Sequence, residues 1–460
     1  MSSILPKARR ALTAAALLSS LPVALRADAQ ADEIQALREQ IRLLDQKLRV
    51  LERKQELKEE EAAAAAKSAP KIFVNDKGVT LASGDGANSL RLRGLVQADS
   101  RWYFDDGGVA TNDAFILRRA RIIFEGTFNK AVSFQLVPEF GGSNTTLLDA
   151  NIGLALRPGL QLKFGKFKSP VGLEQLQSDS WAFFAERSLV TNLVPNRDVG
   201  VTAGGEVLGE AVNYTLGVFN GVPDGASSSN SDFDDDKEFV ARVFATPFKG
   251  RKESALAGLG LGVAASYAPS SETASALTSG YRTDGQQRFF SYAATTVADG
   301  DTWRISPQGY YYHGPFGALG EYVISTVNVR NTATGARSEL QHDAWQVAAG
   351  YVLTGEDASY NGVVPRESFN PTAGTWGAFE VVGRVASLDL DDATFPIFAS
   401  AATSATEVTS FGVGVNWYLT KSLRATVDYF QSDFKTQLTP TSALLRQDEK
   451  AVITRLQVAF

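Results

Sequence analysis

The stretch from Asp113 to Gly142, DAFILRRARIIFEGTFNKAVSFQLVPEFGG, constrains the fold of this chain more than any other. Two runs alternate between apolar and polar residues and are joined by a short polar turn at Asn129-Lys130. Because successive side chains of a strand point to opposite faces, each run has one apolar face and one charged face. Charges recur in the middle of the runs. This pattern predicts an antiparallel hairpin with one face in hydrocarbon and the other in water, as in a water-filled transmembrane β-barrel.

Similar alternating runs recur from Leu90 to Phe460, which predicts an all-β, antiparallel transmembrane barrel of about 16 strands over residues 90–460. Short polar turns alternate with long polar loops, although the turn at 355–376 is longer than this rule expects. Gln287 to Ala294 is either an extra strand or part of a loop. The terminal strand ends on Phe460, and it is expected to close the barrel, because an open edge in lipid leaves backbone groups unpaired. Besides the first run at Leu90 and the opening hairpin, the predicted strands are 148–156, 160–167, 199–207, 212–220, 238–246, 259–268, 303–313, 318–329, 343–353, 377–388, 409–419, 423–434 and 450–460.

The N-terminal part of the chain has the features of an exported protein. Basic residues are followed by an apolar run over 11–25 and by the A-x-A site Ala27-Asp28-Ala29. These features predict a signal peptide over residues 1–29, cleaved after Ala29.

The next segment, residues 30–61, is predicted to be a short coiled-coil helix. Its apolar residues fall at the a and d positions of three heptads, with charged and amide residues between them. Association with other copies is favoured because the apolar stripe is narrow; the alternative is a single amphipathic helix lying on its own barrel. Residues 62–89 are expected to form a linker. The a and d residues are Ile34, Leu37, Ile41, Leu44, Leu48 and Leu51.

Composition excludes several classes of protein. The chain has no cysteine, which rules out disulfides, thiolate metal sites and cysteine catalysis. Its net charge is -6 and it has no dense basic tract, so nucleic acid is not an expected partner. The mean hydropathy of -0.10 argues against a helical membrane protein. No cofactor or metal site is predicted.

Seven segments of the sequence carry a resemblance to a known family. They are Phe115 to Gly126, Phe164 to Leu176, Ala185 to Val190, Leu193 to Val201, Leu353 to Glu356, Gly362 to Arg366 and Trp376 to Glu380. Taken together, these segments resemble the phosphate-selective porin O and P family. The resemblance covers essentially the whole mature chain, and a coiled coil placed before the barrel also fits it. It implies a trimeric, sixteen-stranded outer-membrane channel for anions, with phosphate or a related small anion as the permeant and outer-membrane lipid around it. It implies further that the third external loop folds inward as a constriction.

The segment 169–197 lies between strands and is longer than an ordinary loop. Its aromatic and apolar residues, including Trp181, Phe183 and Phe184, disfavour disorder. We therefore interpret it as a constriction loop folded into the lumen; the alternative is a loop packed on the rim.

Basic side chains on the polar faces of the strands, or in the constriction loop, are the candidates for binding a passing anion. Arginine suits phosphate because its planar fork binds two oxygens at once. Acidic residues share the same faces, so the pattern indicates a channel more firmly than it indicates anion selectivity. Arg424 and Arg455 face the same way. The pore-lining candidates are Arg91, Arg93, Arg101, Arg119, Arg121, Lys163, Lys166, Lys168, Arg187, Arg197, Arg242, Arg304 and Arg384.

Two alternatives to an anion channel remain open. The first is a general or weakly selective diffusion porin of the same fold. The second is a barrel hydrolase, which is disfavoured because the two histidines, His313 and His342, have no nucleophile or zinc spacing beside them. Arg118 does not fit the alternation, which points it towards lipid; it is expected near the outer rim, where an arginine can snorkel.

Overall fold

The computed structural model describes residues 23–104, 112–142, 144–230, 235–251, 253–269, 275–277, 280–438 and 447–460. The chain divides into two compact units, Met1–Ala69 and Pro70–Phe460. Residues 1–22 of the predicted signal peptide lie outside the described part, so its cleavage stays a prediction.

The described residues of the first unit form one helix, α1 (Val23–Ser68). It is longer than the predicted segment 30–61, because the alanine run that follows has a high helix propensity and continues it. It ends just before Pro70, as expected from the restriction that proline places on the preceding residue. None of the helices in the described part of the chain is long and apolar enough to cross a membrane.

The second unit consists mainly of antiparallel strands. β3–β11 and β15–β21, sixteen strands, form a closed barrel, and this confirms the predicted fold class. The strands are, in chain order, β1 (Lys71–Asn75), β2 (Gly78–Ala82), β3 (Ser89–Phe104), β4 (Ala114–Phe128), β5 (Val132–Glu139), β6 (Thr146–Arg157), β7 (Leu160–Lys168), β8 (Arg197–Val207), β9 (Val212–Phe219), β10 (Glu238–Ala245), β11 (Leu259–Ala268), β12 (Ser275–Ala276), β13 (Gly280–Arg282), β14 (Arg288–Ser291), β15 (Thr296–His313), β16 (Phe316–Asn331), β17 (Arg337–Val352), β18 (Ala378–Asp389), β19 (Glu407–Tyr418), β20 (Leu423–Lys435) and β21 (Glu449–Ala459).

The last strand closes the barrel against the first. β21 pairs with β3, with Val452 opposite Trp102. Beyond the strand, the Phe460 carbonyl accepts from the Gly94 N–H at 2.9 Å, and the Phe460 N–H donates to the Gly94 carbonyl at 3.0 Å. Closure pairs the backbone groups of both terminal strands, as a spanning sheet requires.

The alternation seen in the sequence separates an outer face from an inner face. On β3, Leu92 and Trp102 are about 40 % exposed on the outside, whereas Gln97 and Asp99 are buried inside. The outer face is apolar around the barrel, and aromatic rings collect near its ends. The ring centroids of Trp376 and Trp417, for example, lie 6.4 Å apart at one end. Aromatic girdles of this kind are typical of the membrane–water interfaces of β-barrels.

The two ends of the barrel differ in the length of their connections. Most turns at one end are short, and we call it the turn end; the opposite end is the loop end. In the β4–β5 turn, Asn129 has φ 50° and Lys130 has φ 59°. Positive φ at both central residues is the requirement of a type I′ hairpin turn, which matches the twist of the flanking strands.

Residues 62–89, expected to be a linker, are largely structured. α1 occupies them up to Ser68, and β1 and β2 then form a hairpin. β2 pairs with the start of β3, with Val79 opposite Leu92. It continues the barrel wall at the turn end, beyond the place where β21 stops. The strands are only five residues long, too short for period-two reasoning to separate them from a loop.

At least three connections in the described part of the chain fold into the barrel. Residues 169–196, which we call the inner loop, pack Leu189 and Leu193 into an apolar cluster with Phe289 and Phe290. Those phenylalanines belong to β14, which pairs with β13 in a small separate sheet, so residues 287–294 are part of a loop and not a barrel strand. The third connection is the long turn 353–377. Its Tyr360 hydroxyl donates to the Leu173 carbonyl of the inner loop at 2.6 Å, which explains why this turn is long.

Candidate ion pathway

Arginines from the barrel wall hold the inner loop through the carboxylate of Glu186. Arg118 Nε lies 2.6 Å from Glu186 Oε1, Arg101 Nη2 lies 2.5 Å away and Arg455 Nη2 lies 3.0 Å away. Burial raises the pKa of Glu186, but these three guanidiniums outweigh it and hold that pKa well below its usual range. Glu186 therefore stays ionised, and its charge fixes the loop to β3, β4 and β21.

A second carboxylate of the inner loop, Asp179, is bound in the same way. Arg119 Nη2 lies 3.3 Å from it and Arg187 Nη1 lies 2.6 Å from it, and Arg121 also pairs with it. Buried carboxylates with several charged partners are costly to unpair. Together, Asp179 and Glu186 fix the inner loop along β4, the strand that carries Arg118, Arg119 and Arg121.

The position of Arg118 corrects the prediction that it faces lipid at the rim. The β3–β4 pairing shifts between Gln97 and Ala98, where Gln97 lies opposite Arg119 and Ala98 lies opposite Leu117. Arg118 is the extra residue of this β-bulge. A bulge breaks the alternation by one residue, so Arg118 and Arg119 both reach the lumen.

Side chains of the opposite wall bind mainly the backbone of the inner loop. The Asp428 carboxylate accepts from the Ala185 N–H at 2.7 Å, and the Asn416 amide donates to the Phe183 carbonyl at 2.8 Å. Glu321 accepts from the Leu173 N–H at 2.6 Å. These contacts hold the loop against β16–β21 and leave an open space along β3–β8.

That space is a cavity of about 600 Å³, which we call the pathway cavity. Its acidic lining residues are Asp76, Asp149 and Asp179. They are outnumbered by eight basic residues, which gives the lining side chains a net charge of about +5 in a chain whose overall charge is -6. The basic residues are Lys77, Arg91, Arg93, Arg121, Lys163, Lys168, Arg197 and Lys421.

Several of these cations are only weakly neutralised. Arg91 and Arg93 share one carboxylate, Glu125, at 3.3 and 3.4 Å. Lys163 Nζ lies 4.4 Å from the centroid of the Phe167 ring, and Lys168 Nζ donates to the Gln177 carbonyl at 2.8 Å. Within the described residues, neither lysine forms an ion pair. Positive charge therefore remains available in the cavity.

The structure separates the thirteen predicted pore residues into different environments. Six line the pathway cavity, and four (Arg101, Arg119, Arg187 and Arg384) bind carboxylates in or around the inner loop. The other three, Arg304, Lys166 and Arg242, lie elsewhere. The six are Arg91, Arg93, Arg121, Lys163, Lys168 and Arg197.

Those three residues face loops or a different cavity. Arg304 pairs with Asp224 at 2.6 Å and with Glu238 at 2.7 Å, which anchors an external loop. The Lys166 ammonium donates to the Ser228 carbonyl at 2.7 Å, also in that loop. Arg242 lines a second cavity.

Sequence reasoning missed two cations of the pathway cavity, Lys77 and Lys421. Both lie in turns, where alternation carries no information about direction. Lys421 lies 3.7 Å from Asp76, so the β1–β2 turn meets the β19–β20 turn at the mouth of the cavity. In the sequence, the only indication of these two residues was that each is a charged residue in a turn next to a strand.

The histidines are accounted for by packing. His342 is buried, with Nε2 2.7 Å from the Tyr292 hydroxyl and Nδ1 accepting from the Asp391 N–H at 3.1 Å. His313 stacks on Tyr311. No group of three or more potential metal ligands occurs among the residues that the structure describes.

Comparison with known proteins places the chain in a family. The model of the phosphate-selective porin O and P family matches residues 90–460. Porin O of Pseudomonas aeruginosa is 26% identical over 422 residues, covering 85% of this chain and 92% of that protein. The outer membrane channel DcaP of Acinetobacter baumannii has a similar fold, with a TM-score of 0.50 and 12% identity over 82% of this chain and 98% of that one. Because the family model spans most of its length, this chain belongs to the phosphate-selective porin O and P family of outer-membrane channels.

Proposed function

We propose that the protein lets small anions, inorganic phosphate among them, diffuse across the outer membrane through the pathway cavity. The observation that carries this proposal is the excess of basic over acidic side chains on the cavity lining. Basic groups in a pore replace part of the hydration of a passing anion. The overall charge of the chain is negative, so the excess is local to the pathway.

The kinds of side chain support phosphate as a permeant. Arg91 and Arg93 lie two residues apart on β3 and present two guanidinium forks to the same space. Each fork can bind two phosphate oxygens. Lys163 adds a compact ammonium group that has no carboxylate partner among the described residues. The description of the matching family, phosphate-selective porin O and P, agrees with this chemistry.

A general diffusion porin is the second candidate, and one observation favours it. Several deeply buried arginines are neutralised by carboxylates, as Arg455 is by Asp99 at 2.6 and 2.7 Å. If the lining cations were balanced in the same way, the pore would discriminate little between ions.

Competition between phosphate and chloride tests the proposal. Chloride current through the purified protein in a planar bilayer is recorded while phosphate is added at constant ionic strength. A phosphate site in the pathway predicts saturable block, weakened in the variant Arg91→Gln with Arg93→Gln. The variant Lys130→Gln, which neutralises an exposed turn residue, is the matched control. If the current falls only in proportion to the chloride fraction, without saturable block, the result contradicts a phosphate site.

We propose also that the functional unit is a homotrimer surrounded by outer-membrane lipid and joined in part through α1. The predicted a and d side chains are at least half exposed in the single chain, as expected for a seam that needs a partner. Trimeric stoichiometry rests on the family resemblance, because a heptad pattern does not fix the number of helices. The mass of the detergent-solubilised protein, with and without residues 30–61, tests both points.

We propose further that the channel works without catalysis and reaches the membrane through a cleaved signal peptide. A hydrolase would need a reactive constellation, and the two histidines are held in packing contacts. Substituting either one is expected to leave conductance unchanged. N-terminal sequencing of the mature protein is expected to begin at Gln30, the residue after the A-x-A site.

A further inference from the structure

A second cavity, of about 420 Å³, opens at the turn end of the barrel, and we call it the turn-end cavity. Its lining includes Glu210 of the β8–β9 turn together with Lys249 and Gly258 of the connection between β10 and β11. No described residue lines both this cavity and the pathway cavity. A space of this size lies within the range of pockets that bind small organic ligands.

The inner loop and the long turn 353–377 contribute one wall of the turn-end cavity. Leu173 and Tyr360 both line it, and the Tyr360 hydroxyl donates to the Leu173 carbonyl at 2.6 Å. Gln177 of the inner loop donates to the Tyr360 carbonyl at 2.8 Å. These contacts hold the wall formed by the inner loop and the long turn in place.

Arg242 is the cation of this pocket that has no carboxylate partner among the described residues. Its Nε donates to the Gln308 side-chain oxygen at 3.1 Å, and its guanidinium lies 4.7 Å from the centroid of the Phe244 ring. Within the described part of the chain, Arg242 forms no ion pair and its Nη atoms donate to no protein group. The planar edge of the guanidinium is therefore free to bind two oxygens of one ligand.

Aromatic rings surround this arginine. Tyr310 lies 5.1 Å from Phe244 and is stacked on Tyr360 at 5.3 Å, measured between ring centroids. Such a set favours a flat apolar ligand body. The negative charge near the mouth is partly offset, since Glu210 pairs with Lys249 at 3.0 Å. Glu206 is exposed at the rim.

We propose that the turn-end cavity binds aromatic carboxylates, with the carboxylate on Arg242 and the ring against Tyr310 and Tyr360. The site takes its ligand from the periplasm, an orientation that rests on the proposed function. It differs from the pathway cavity in ligand class, because the pathway cavity lacks a comparable group of rings around one unpaired arginine in its described lining.

Binding of radiolabelled benzoate to the purified, detergent-solubilised protein tests this proposal by equilibrium dialysis. We expect saturable binding of one benzoate per chain, and at least tenfold weaker binding by Arg242→Gln. Acetate, which has the charge without the ring, and benzamide, which has the ring without the charge, are each expected to compete at least tenfold less well than unlabelled benzoate. Arg251→Gln, which neutralises an exposed arginine of the neighbouring connection, is the matched control and is expected to bind as the wild type does.

Three results would overturn the proposal: no saturable binding to the wild type, unchanged binding by Arg242→Gln, or full displacement of benzoate by equimolar phosphate. If Arg242→Gln does not form a barrel, Arg242→Lys keeps the charge and removes the fork. It is then expected to bind at least threefold more weakly, and equal binding would refute the proposal. Failure of the proposed anion channel is distinguishable, because it appears in the wild-type reversal potential measured without benzoate.

Discussion

The charge at Lys163 provides a quantitative test of how the pathway cavity selects ions. A sphere of the cavity's volume, about 600 Å³, has a radius of about 5 Å, so an ion at its centre is about 6 Å from a wall charge. In water, two unit charges at that distance interact with a Coulomb energy of about 0.7 kcal/mol, and screening by 0.1 M salt reduces this energy to about 0.4 kcal/mol. Because Lys163 attracts anions and repels cations, its removal changes the ratio of their permeabilities by about 0.8 kcal/mol, or about fourfold.

Lys163→Gln is therefore expected to lower the anion-to-cation permeability ratio about fourfold. The ratio is obtained from the reversal potential of the purified channel in a planar bilayer under a potassium chloride gradient. Lys130→Gln makes the same charge change on an exposed turn and is expected to leave the ratio within about 1.5-fold, because screening removes distant charges. Glu125→Gln is expected to raise the ratio by a similar factor, since it releases Arg91 and Arg93. If Lys163→Gln has the same ratio as the wild type, the lining charges do not set selectivity and the reasoning fails.

Three further predictions follow from the packing. Arg118→Leu is expected to destabilise the barrel by about 2 kcal/mol in urea unfolding, because it removes a charged hydrogen bond to Glu186; a stabilised variant would mean that Arg118 faces lipid after all. Gly362→Ala places a Cβ against the Trp181 ring with too little room for it, and is expected to disturb the inner loop and raise open-channel current noise. Gly374→Ala, with a similar φ and open space around it, is expected to leave the current noise unchanged. Lys130→Gly relieves a left-handed conformation and is expected to stabilise the hairpin by about 1 kcal/mol in the same urea assay; a destabilised variant would contradict the positive φ at that residue.

The barrel itself was predictable because its signal is local and repeated. A strand with one lipid face and one aqueous face must alternate, and all sixteen predicted strands overlap the observed ones. The turn residues agree, since Asn129 and Lys130 both have the positive φ that a type I′ turn needs. Arg91 and Arg93 on β3 and Lys163 on β7 followed from the same alternation.

The rest depends on contacts between distant parts of the chain. The β-bulge at Arg118 is invisible to a period of two, because one inserted residue reverses every direction after it. The length of the turn 353–377 makes sense only once Tyr360 meets Leu173, 187 positions away in sequence. Alternation also assigns arginines to the lumen without showing which carboxylate each one meets, so Arg304 and Lys163 looked equivalent.

The reversal potential of the wild-type protein tests the central claim most directly. Purified channel is inserted into a planar bilayer with a tenfold potassium chloride gradient. If the basic lining of the pathway cavity sets selectivity, the zero-current potential has the sign of the chloride equilibrium potential. Its magnitude is then smaller in Lys163→Gln. A wild-type potential with the sign of the potassium equilibrium potential would contradict the account, because the cavity would then conduct cations in spite of its positive lining.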